Sequence, residues 1–462
     1  MECFTVYADE VENRIDPHFY RPEFKELKVD LSRQKHKSLG EVIEFSSETW
    51  NQKDFFDNEF PYIEISEIDT STGEIQNITY YEKDEAPSRA KMIVRENDII
   101  VSTTRPHRGA IASIDKTRDG FIASTGFAIL RNLKTELNKK YLLFILRTQL
   151  SLKQMLQRSS GGNYPAITSE ELKKVIIPLP PISIQEKIVN LMVSAYSKNQ
   201  QKESEALKLL DSINDYVLDE LGIKFSPIEE DKIYCIDSEE LENSRSDPYY
   251  FNPKFKRLLA DLQKSKIPLT KLKDVAEDIF NGKTPAKEDY AEEGNLILKV
   301  SCLKHNKIMW DNLSYFKDGV PTVKIIKDKD VLLLSSAHQG EYLGKNPSIV
   351  EIPANFKEKK IYFVGELINI RADTEKVNPY YILAILKLHE YYLFVNREKR
   401  GQTSHLYPED LGNVKIPLPP LNVQNKIAEE VKKRMQKAEQ LQKEAKEELE
   451  KAKLEVEKII LG

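Results

Sequence analysis

Three short runs hold residue types that could handle a reactive amine: "DPHF" at Asp16 to Phe19, "DPYY" at Asp247 to Tyr250 and "NPYY" at Asn378 to Tyr381. In a [DN]PP[YF] run the side-chain oxygen and a proline carbonyl hold an amine in line for methyl transfer. The second proline is missing from all three, and no strand with a glycine-rich turn for S-adenosylmethionine precedes any of them. A turn where a domain begins is the better account. The chain has no phosphate-cradling GxxxxGK[ST], no zinc-binding HExxH and no GxSxG elbow. Its seven histidines stand apart from any Ser/Asp or Cys set. Cys3, Cys235 and Cys302 are scattered, which disfavours a disulfide framework and a zinc site. No catalytic residue, metal or cofactor is expected. The residues describe a reader or a scaffold.

The elements that would position a reader are written twice. "VIIPLPPISIQEKI" (Val175 to Ile188) and "VKIPLPPLNVQNKI" (Val414 to Ile427) share nine of fourteen positions at an offset of 239. "RIDPHFYRPEFKEL" (Arg14 to Leu27) aligns without gaps to "RSDPYYFNPKFKRL" (Arg245 to Leu258) at an offset of 231. Two echoes in one order with nearly one offset mean an internal duplication, and so long a period makes the unit a whole domain. The 462 residues are enough for two domains with proper cores.

After each PLPP run the chain continues without Gly or Pro, over 182–221 and 421–461. Ile184, Ile188, Leu191, Ala195, Asn199, Lys202, Ala206, Leu209, Ile213 and Val217 step by three or four, one stripe of a helix. Val423, Ile427, Val431, Ala438, Leu441, Ala445 and Ala452 repeat it. Ser183 followed by Glu186 fits a capping box. Each helix would span about 60 Å, and its stripe is expected to pair with the other helix as a coiled coil. Ile188, Leu191, Ile213, Ile427, Val431 and Leu441 are assigned to that pairing. The heads are expected to be mixed α/β, with strands in "FPYIEISEID", "DIIVST", "GAIASI" and "FIASTGFAIL", then "NLILKVSCL", "DVLLLSSA" and "KIYFVGELINI". One helix follows in each, "NKKYLLFILRTQLSLKQMLQ" and "NPYYILAILKLHEYYLFVN".

Hydrophobic residues at 40% and charged ones at 31% describe a soluble globular chain. No apolar run approaches the roughly 18 residues of a membrane span. The start "MECFTVYADEVENR" is acidic and lacks a signal-peptide layout, so a cytoplasmic protein is expected. The net charge of −5 does not exclude a polyanion partner, because distribution matters more than the sum. Arg131 to Lys174 carries nine Lys or Arg against three Glu.

The order of these parts, a D-P-x-[FY] opening, strands, a helix, a Gly-plus-polar loop, [IV]-x-[IV]-P-L-P-P, Q-x-K-I and a long helix, all twice, resembles the DNA-specificity (S) subunit of type I restriction–modification systems. The residue before the motif glutamine, usually Glu in that family, is Ile184 in one copy and Val423 in the other. The resemblance implies an α+β fold of two target-recognition domains separated by two long helices pairing antiparallel. The boundaries are then 1–181 for the first domain, 182–222 for its spacer helix, 223–420 for the second domain and 421–462 for its helix. It implies a non-catalytic subunit that binds double-stranded DNA, each domain reading one half of a bipartite site. It also implies docking of two methyltransferase (modification) subunits, and through them the endonuclease/translocase (restriction) subunits. A coiled-coil adaptor whose two α/β heads bind proteins is the alternative.

Phosphate contacts need Arg, Lys and polar loop donors, and base edges need Arg, Asn, Gln or His. In the first domain "TTRPHRG" offers Arg105, His107 and Arg108, and "RSSGGNYPAIT" offers Arg158, Ser159, Ser160, Asn163 and Tyr164. In the second, "SSAHQGEY" offers Ser335, Ser336, His338 and Gln339, and "REKRGQTSHLYP" offers Arg397, Lys399, Arg400, Gln402, Ser404 and His405. "CLKHNK" adds Lys304, His305 and Lys307. Solvated, variable surface loops are the plain alternative for each.

Overall fold

The repeated proline run is a strand end and a helix start in both copies. Ile176–Pro178 pairs antiparallel with His36–Ser38, and Lys415–Pro417 with Leu269–Lys271. The helices Ile182–Leu221 and Leu421–Leu461 follow at once. The computed structural model describes residues 4–7, 11–12, 14–50, 56, 58–228, 231–236, 245, 247–304, 307–317, 324–401 and 404–462, with the side chains of Lys304 and Lys307 left out. The chain divides into one unit of residues 1–204 with 441–462 and a second of residues 205–440.

In the first unit, one four-stranded sheet runs Ile43–Ser46, Phe127–Leu133, Ile99–Ser102, Ile111–Ser113, all antiparallel. The other runs Thr79–Glu82, Glu59–Ile63, Ile122–Ser124, Ala90–Ile93, with Glu59–Ile63 parallel to Ile122–Ser124. In the second unit the order is Ala276–Asn281, Leu367–Ala372, Val331–Leu334, Ser348–Ile349. Its other sheet has Asn295–Leu298 parallel to Ile361–Phe363 and antiparallel to Ser314–Phe316. The fold class is thus α+β, doubled.

"FIASTGFAIL" and "KIYFVGELINI" are each two strands in two sheets, not one strand. The chain crosses between sheets at Gly126 and around Gly365, and a Cβ on Gly126 would lie 2.7 Å from Ile65 Cδ1. The single helices expected before the polar loops are also pairs: Lys139–Leu146 with Gln149–Arg158, and Pro379–Lys387 with His389–Arg397. Local periodicity runs on through both breaks, so it could not show them. At the first, Arg147 turns inward and donates to the carbonyls of Ile111 and Ser71, each at 2.8 Å.

Each long helix starts on proline, not on a serine box. Pro181 O accepts from Ile184 N and Gln185 N at 2.9 and 3.1 Å, which places Ser183 inside the first turn. Pro420 O does the same for Val423 and Gln424. Ile184 and Val423, the residues just before the motif glutamines, pack against the core of their own unit.

The apolar stripes are buried against both the heads and each other. In the first unit Ile188, Met192 and Ala195 share a core with Tyr141 and Ile145 of the head and with Leu449, Ala452 and Val456 of the second long helix. In the second unit Ile213 and Val217 share one with Tyr381, Ile385, Ile427 and Val431. The pairing is antiparallel within each unit. Lys198 meets Glu448 at 2.8 Å and Lys202 meets Glu444 at 2.7 Å in the first, while Lys426 meets Glu220 at 2.7 Å in the second. Asn199, 6% exposed in this seam, donates from Nδ2 to Ala445 O at 3.0 Å. Of the six residues assigned to pairing, Leu191 is half-buried and Ile188, Ile213, Ile427, Val431 and Leu441 are buried.

The motif glutamine has a structural task. Gln185 Oε1 accepts from Asn138 N at 2.9 Å and its Nε2 donates to Pro180 O at 2.9 Å. Gln424 repeats this with Asn378 N at 3.0 Å and Pro419 O at 2.8 Å. Each glutamine thus ties the start of the head helix, capped by Asn138 or Asn378, to the proline turn. Both are almost wholly buried, so Gln185→Ala and Gln424→Ala should each cost about 1–3 kcal/mol through unsatisfied groups. Urea unfolding of the two variants checks this; losses near zero would mean water replaces the amide.

Candidate nucleic-acid interface

The second repeated motif holds the place where the polar loops begin. Arg14 Nε pairs with Asp16 at 2.8 Å, while its Nη atoms donate to Arg158 O and Ser159 O at 3.0 and 3.2 Å. Arg245 pairs with Asp247 and donates to Arg397 O and Lys399 O at 3.3 and 2.9 Å. A guanidinium therefore satisfies the last carbonyls of the helix Gln149–Arg158 and of the helix His389–Arg397, where the backbone end is negative. Asp16 and Asp247 cap their own short turns, accepting from Phe19 N and Tyr250 N. Asp16 of the "DPHF" run and Asp247 of the "DPYY" run thus serve the clamp at a helix end.

Beyond each clamp the loop closes on itself in the same way. Ser160 and Ala166 exchange both backbone hydrogen bonds at 2.8 Å, as Arg400 and His405 do at 2.8 and 2.9 Å. Each closed loop is then stitched to a second one far away in sequence. Ile167 N donates to Thr103 O at 2.8 Å, and Leu406 N to Ser335 O at 2.8 Å. Thr104 bridges Ala166, and Ser336–Ala337 pairs with Ser404–His405. Two surface loops become one composite surface in each unit.

In the first unit that surface presents Arg105, Arg108, Ser160, Asn163 and Tyr164. Arg105 has φ +48°, a left-handed conformation that costs a non-glycine residue about 1–3 kcal/mol. Three contacts hold it: its N donates to Pro165 O at 2.7 Å, its Nη2 to Asn163 O at 3.1 Å, and its guanidinium lies 4.0 Å from the Tyr164 ring centroid. Tyr164 is 70% exposed, so a large aromatic face is held out by a cation. His107 is half-buried, and burial followed by the neighbouring Arg108 and Arg105 charges pushes its imidazole below the usual range. Arg158 and Ser159 do not reach the surface: Arg158 is 8% exposed and ion-paired with Glu171 at 3.1 Å, and Ser159 Oγ donates to Met155 O. Both are corrected to interior supports, because the clamp draws the helix end inward.

In the second unit His338 and Gln339 are exposed, Arg400 is exposed beside Asp410, and Ser336, Ser404 and His405 are half-buried on the paired strands. Ser335 is buried, accepting from Asn281 Nδ2 at 2.8 Å, and is likewise a support. Arg397 donates to Tyr250 O at 2.9 Å and stacks on the Tyr250 ring; Lys399 donates to Asn396 and lies 4.2 Å from the Tyr249 ring. Burial lowers the Lys399 ammonium from its usual range. Lys304 and Lys307 lie on a pair of short antiparallel strands, and His305 and Gln402 lie outside the described residues. Tyr342 and Tyr407, about half exposed next to the paired strands, were not anticipated. The only signal for Tyr407 was its place two residues after His405.

Another repeated pair was missed. Asp98 and Asp330, both buried, follow the left-handed residues Asn97 and Lys329 and bind Arg131 and Arg371 through two oxygens at 2.8–3.0 Å. The signal was there: "NDIIV" and "KDVLL", with Arg131 33 residues after Asp98 and Arg371 41 residues after Asp330.

With this geometry doubled, a family match decides what the chain is. The sequence model of the type I restriction modification DNA specificity domain matches residues 33–209 and again 265–451. The chain belongs to that family. The putative type I restriction enzyme MjaX specificity subunit of Methanocaldococcus jannaschii is 22% identical over 459 residues, 96% of each chain. The MjaVIII specificity subunit of the same organism is 23% identical over 379 residues, 80% of each. A chain in a solved structure of a type I R-M system, 21% identical, covers 92% of this chain and 96% of its own, with a TM-score of 0.48. Among the described residues no helix is long and apolar enough to cross a membrane, and no cluster of acidic, His and Cys side chains could hold a metal.

Proposed function

We propose that each unit reads one half of a bipartite double-stranded DNA site through its composite loop surface, and that the chain itself performs no catalysis. One observation carries this: the same backbone hydrogen bonds assemble the surface in both units, while exposed side chains differ, Arg108, Asn163 and Tyr164 in one against His338, Gln339 and Arg400 in the other. Shared scaffolding with diverged tips is what two readers of two sequences require. Arg105, Arg108, Asn163 and Tyr164 serve the first half-site, and His338, Gln339, Arg400, Ser404 and His405 the second. The MjaX and MjaVIII relatives are named type I restriction enzyme specificity subunits, which supports association with the other subunits of such an enzyme; in this reading those are two methyltransferase subunits and the endonuclease/translocase subunits. The place of action is the cytoplasm, where the DNA is.

The long helices would set the half-site spacing. Deleting one heptad from each removes about 10 Å of helix and should shorten the preferred gap between half-sites while leaving the bases unchanged. Methylation mapping in the host checks this; altered bases with unchanged spacing would reject the ruler.

Duplex binding measured against salt, with and without a methyltransferase partner, tests the reading itself. Phosphate contacts release counterions and give a steep fall of affinity with salt. A flat response, or binding untouched by neutralising the loop cations, would favour an adaptor whose heads bind proteins.

A further inference from the structure

The internal repeat allows one position to be compared with itself. Arg147 and Lys387 occupy the same place, nine residues after the capping Asn138 and Asn378, at the break between the paired helices. Arg147 is 5% exposed and its guanidinium is held by the carbonyls of Ile111 and Ser71, both at 2.8 Å. The turn that supplies Ser71 starts at Asp69, whose carboxylate fixes it by accepting from Ser71 N and Thr72 N. Lys387 makes no hydrogen bond or ion pair with any described residue. Instead it lines a cavity of about 500 Å³ whose walls include Leu210, Ile213 and Leu386.

The other charged groups around the cavity do not pair with Lys387. Asp211 faces it from the first long helix without pairing with Lys387. Lys345 lies 5.0 Å and 5.7 Å from the Tyr342 and Tyr392 ring centroids. His389 has its backbone N bound to Asn214 Oδ1 and its ring near Tyr392, and Glu390, three residues on, forms no ion pair with Lys387. Burial pushes the Lys387 ammonium down to about 7, with no nearby charge contributing. Lysine loses its proton readily when desolvated, where arginine at the equivalent position cannot.

We propose that Lys387 is a covalent modification site: its amine, unpaired on the wall of this cavity, takes the acyl group of an acyl phosphate. The Nζ lone pair attacks the carbonyl carbon and an N–C bond forms. The C–O bond to phosphate breaks, phosphate leaves with its electron pair, and the amine proton passes to water. No oxidant or reductant is needed. The product is a neutral amide whose acyl group lies in the cavity. This inference is independent of DNA reading.

The full chain is treated with acetyl phosphate between about pH 6 and pH 9, and acetylation is quantified at each lysine by mass spectrometry. Lys433 and Lys443, with side chains 80% and 75% exposed, are the references. Near neutral pH, Lys387 should react about tenfold faster than either, and its rate should level off above about pH 8. The reference lysines should keep rising about tenfold per pH unit. In denaturant the difference should vanish. Native Lys387 reacting no faster than Lys433, or an advantage that survives denaturation, overturns the proposal.

Discussion

Replacing Asp98 with alanine should destabilise the first unit by about 3–5 kcal/mol, the range for removing one partner of a buried ion pair. The reason lies in the number of groups that depend on one carboxylate. Asp98 accepts from Arg131 Nε and Nη2 at 3.0 and 2.8 Å and from Arg95 N at 2.8 Å. Arg131 also donates to Ile93 O and to Glu48, so the guanidinium joins both sheets of the unit. Without Asp98 its charge is left half-buried and the left-handed turn at Asn97 loses its anchor. Asp330→Ala should do the same to the second unit, where Asp330 also accepts from the fully buried Asn369 at 2.8 Å. The two losses share no partner and should add. Urea unfolding of the single and double variants measures this. A loss below about 1 kcal/mol would show that water enters and solvates the arginine.

Tyr164→Ala should weaken binding of the cognate duplex by about 1–3 kcal/mol, about ten- to hundredfold, with the whole effect confined to one half-site. Tyr164 is 70% exposed, with its ring centroid 4.0 Å from the Arg105 guanidinium, so its removal should change stability by no more than about 0.5 kcal/mol. A loss of DNA binding is then not a loss of folding. Arg105→Ala should lower the affinity similarly and also reduce its salt dependence, because a phosphate- or base-directed cation is gone. The site is first found by methylome sequencing of the host. Anisotropy titrations then use duplexes altered in either half. Equal binding by wild type and Tyr164→Ala, or a deficit spread over both halves, would remove the aromatic tip from the reading surface.

Several of the sequence echoes proved to be scaffolding. Gln185 and Gln424 lock a helix start to the proline turn, and Arg14 and Arg245 clamp a helix end. Residues that repeat across diverged copies are those whose bonds lie inside one unit and set its geometry. The side chains proposed to read DNA differ between copies, so no echo marks them.

The sequence by itself determined the duplication, the mixed α+β heads, the two long helices and the stripe each would bury, because those follow from local periodicity and from matching one stretch with another. It could not show that Arg158 and Ser159 turn inward while Ser160 and Tyr164 stay out, or that the strand runs break at Gly126 and Gly365. Nor could it bring Thr103 to Ile167, Ser335 to Leu406 or Asp98 to Arg131. These contacts join segments tens of residues apart. Only when both sheets and the paired helices are packed do the remote carbonyls and carboxylates arrive where the loops need them.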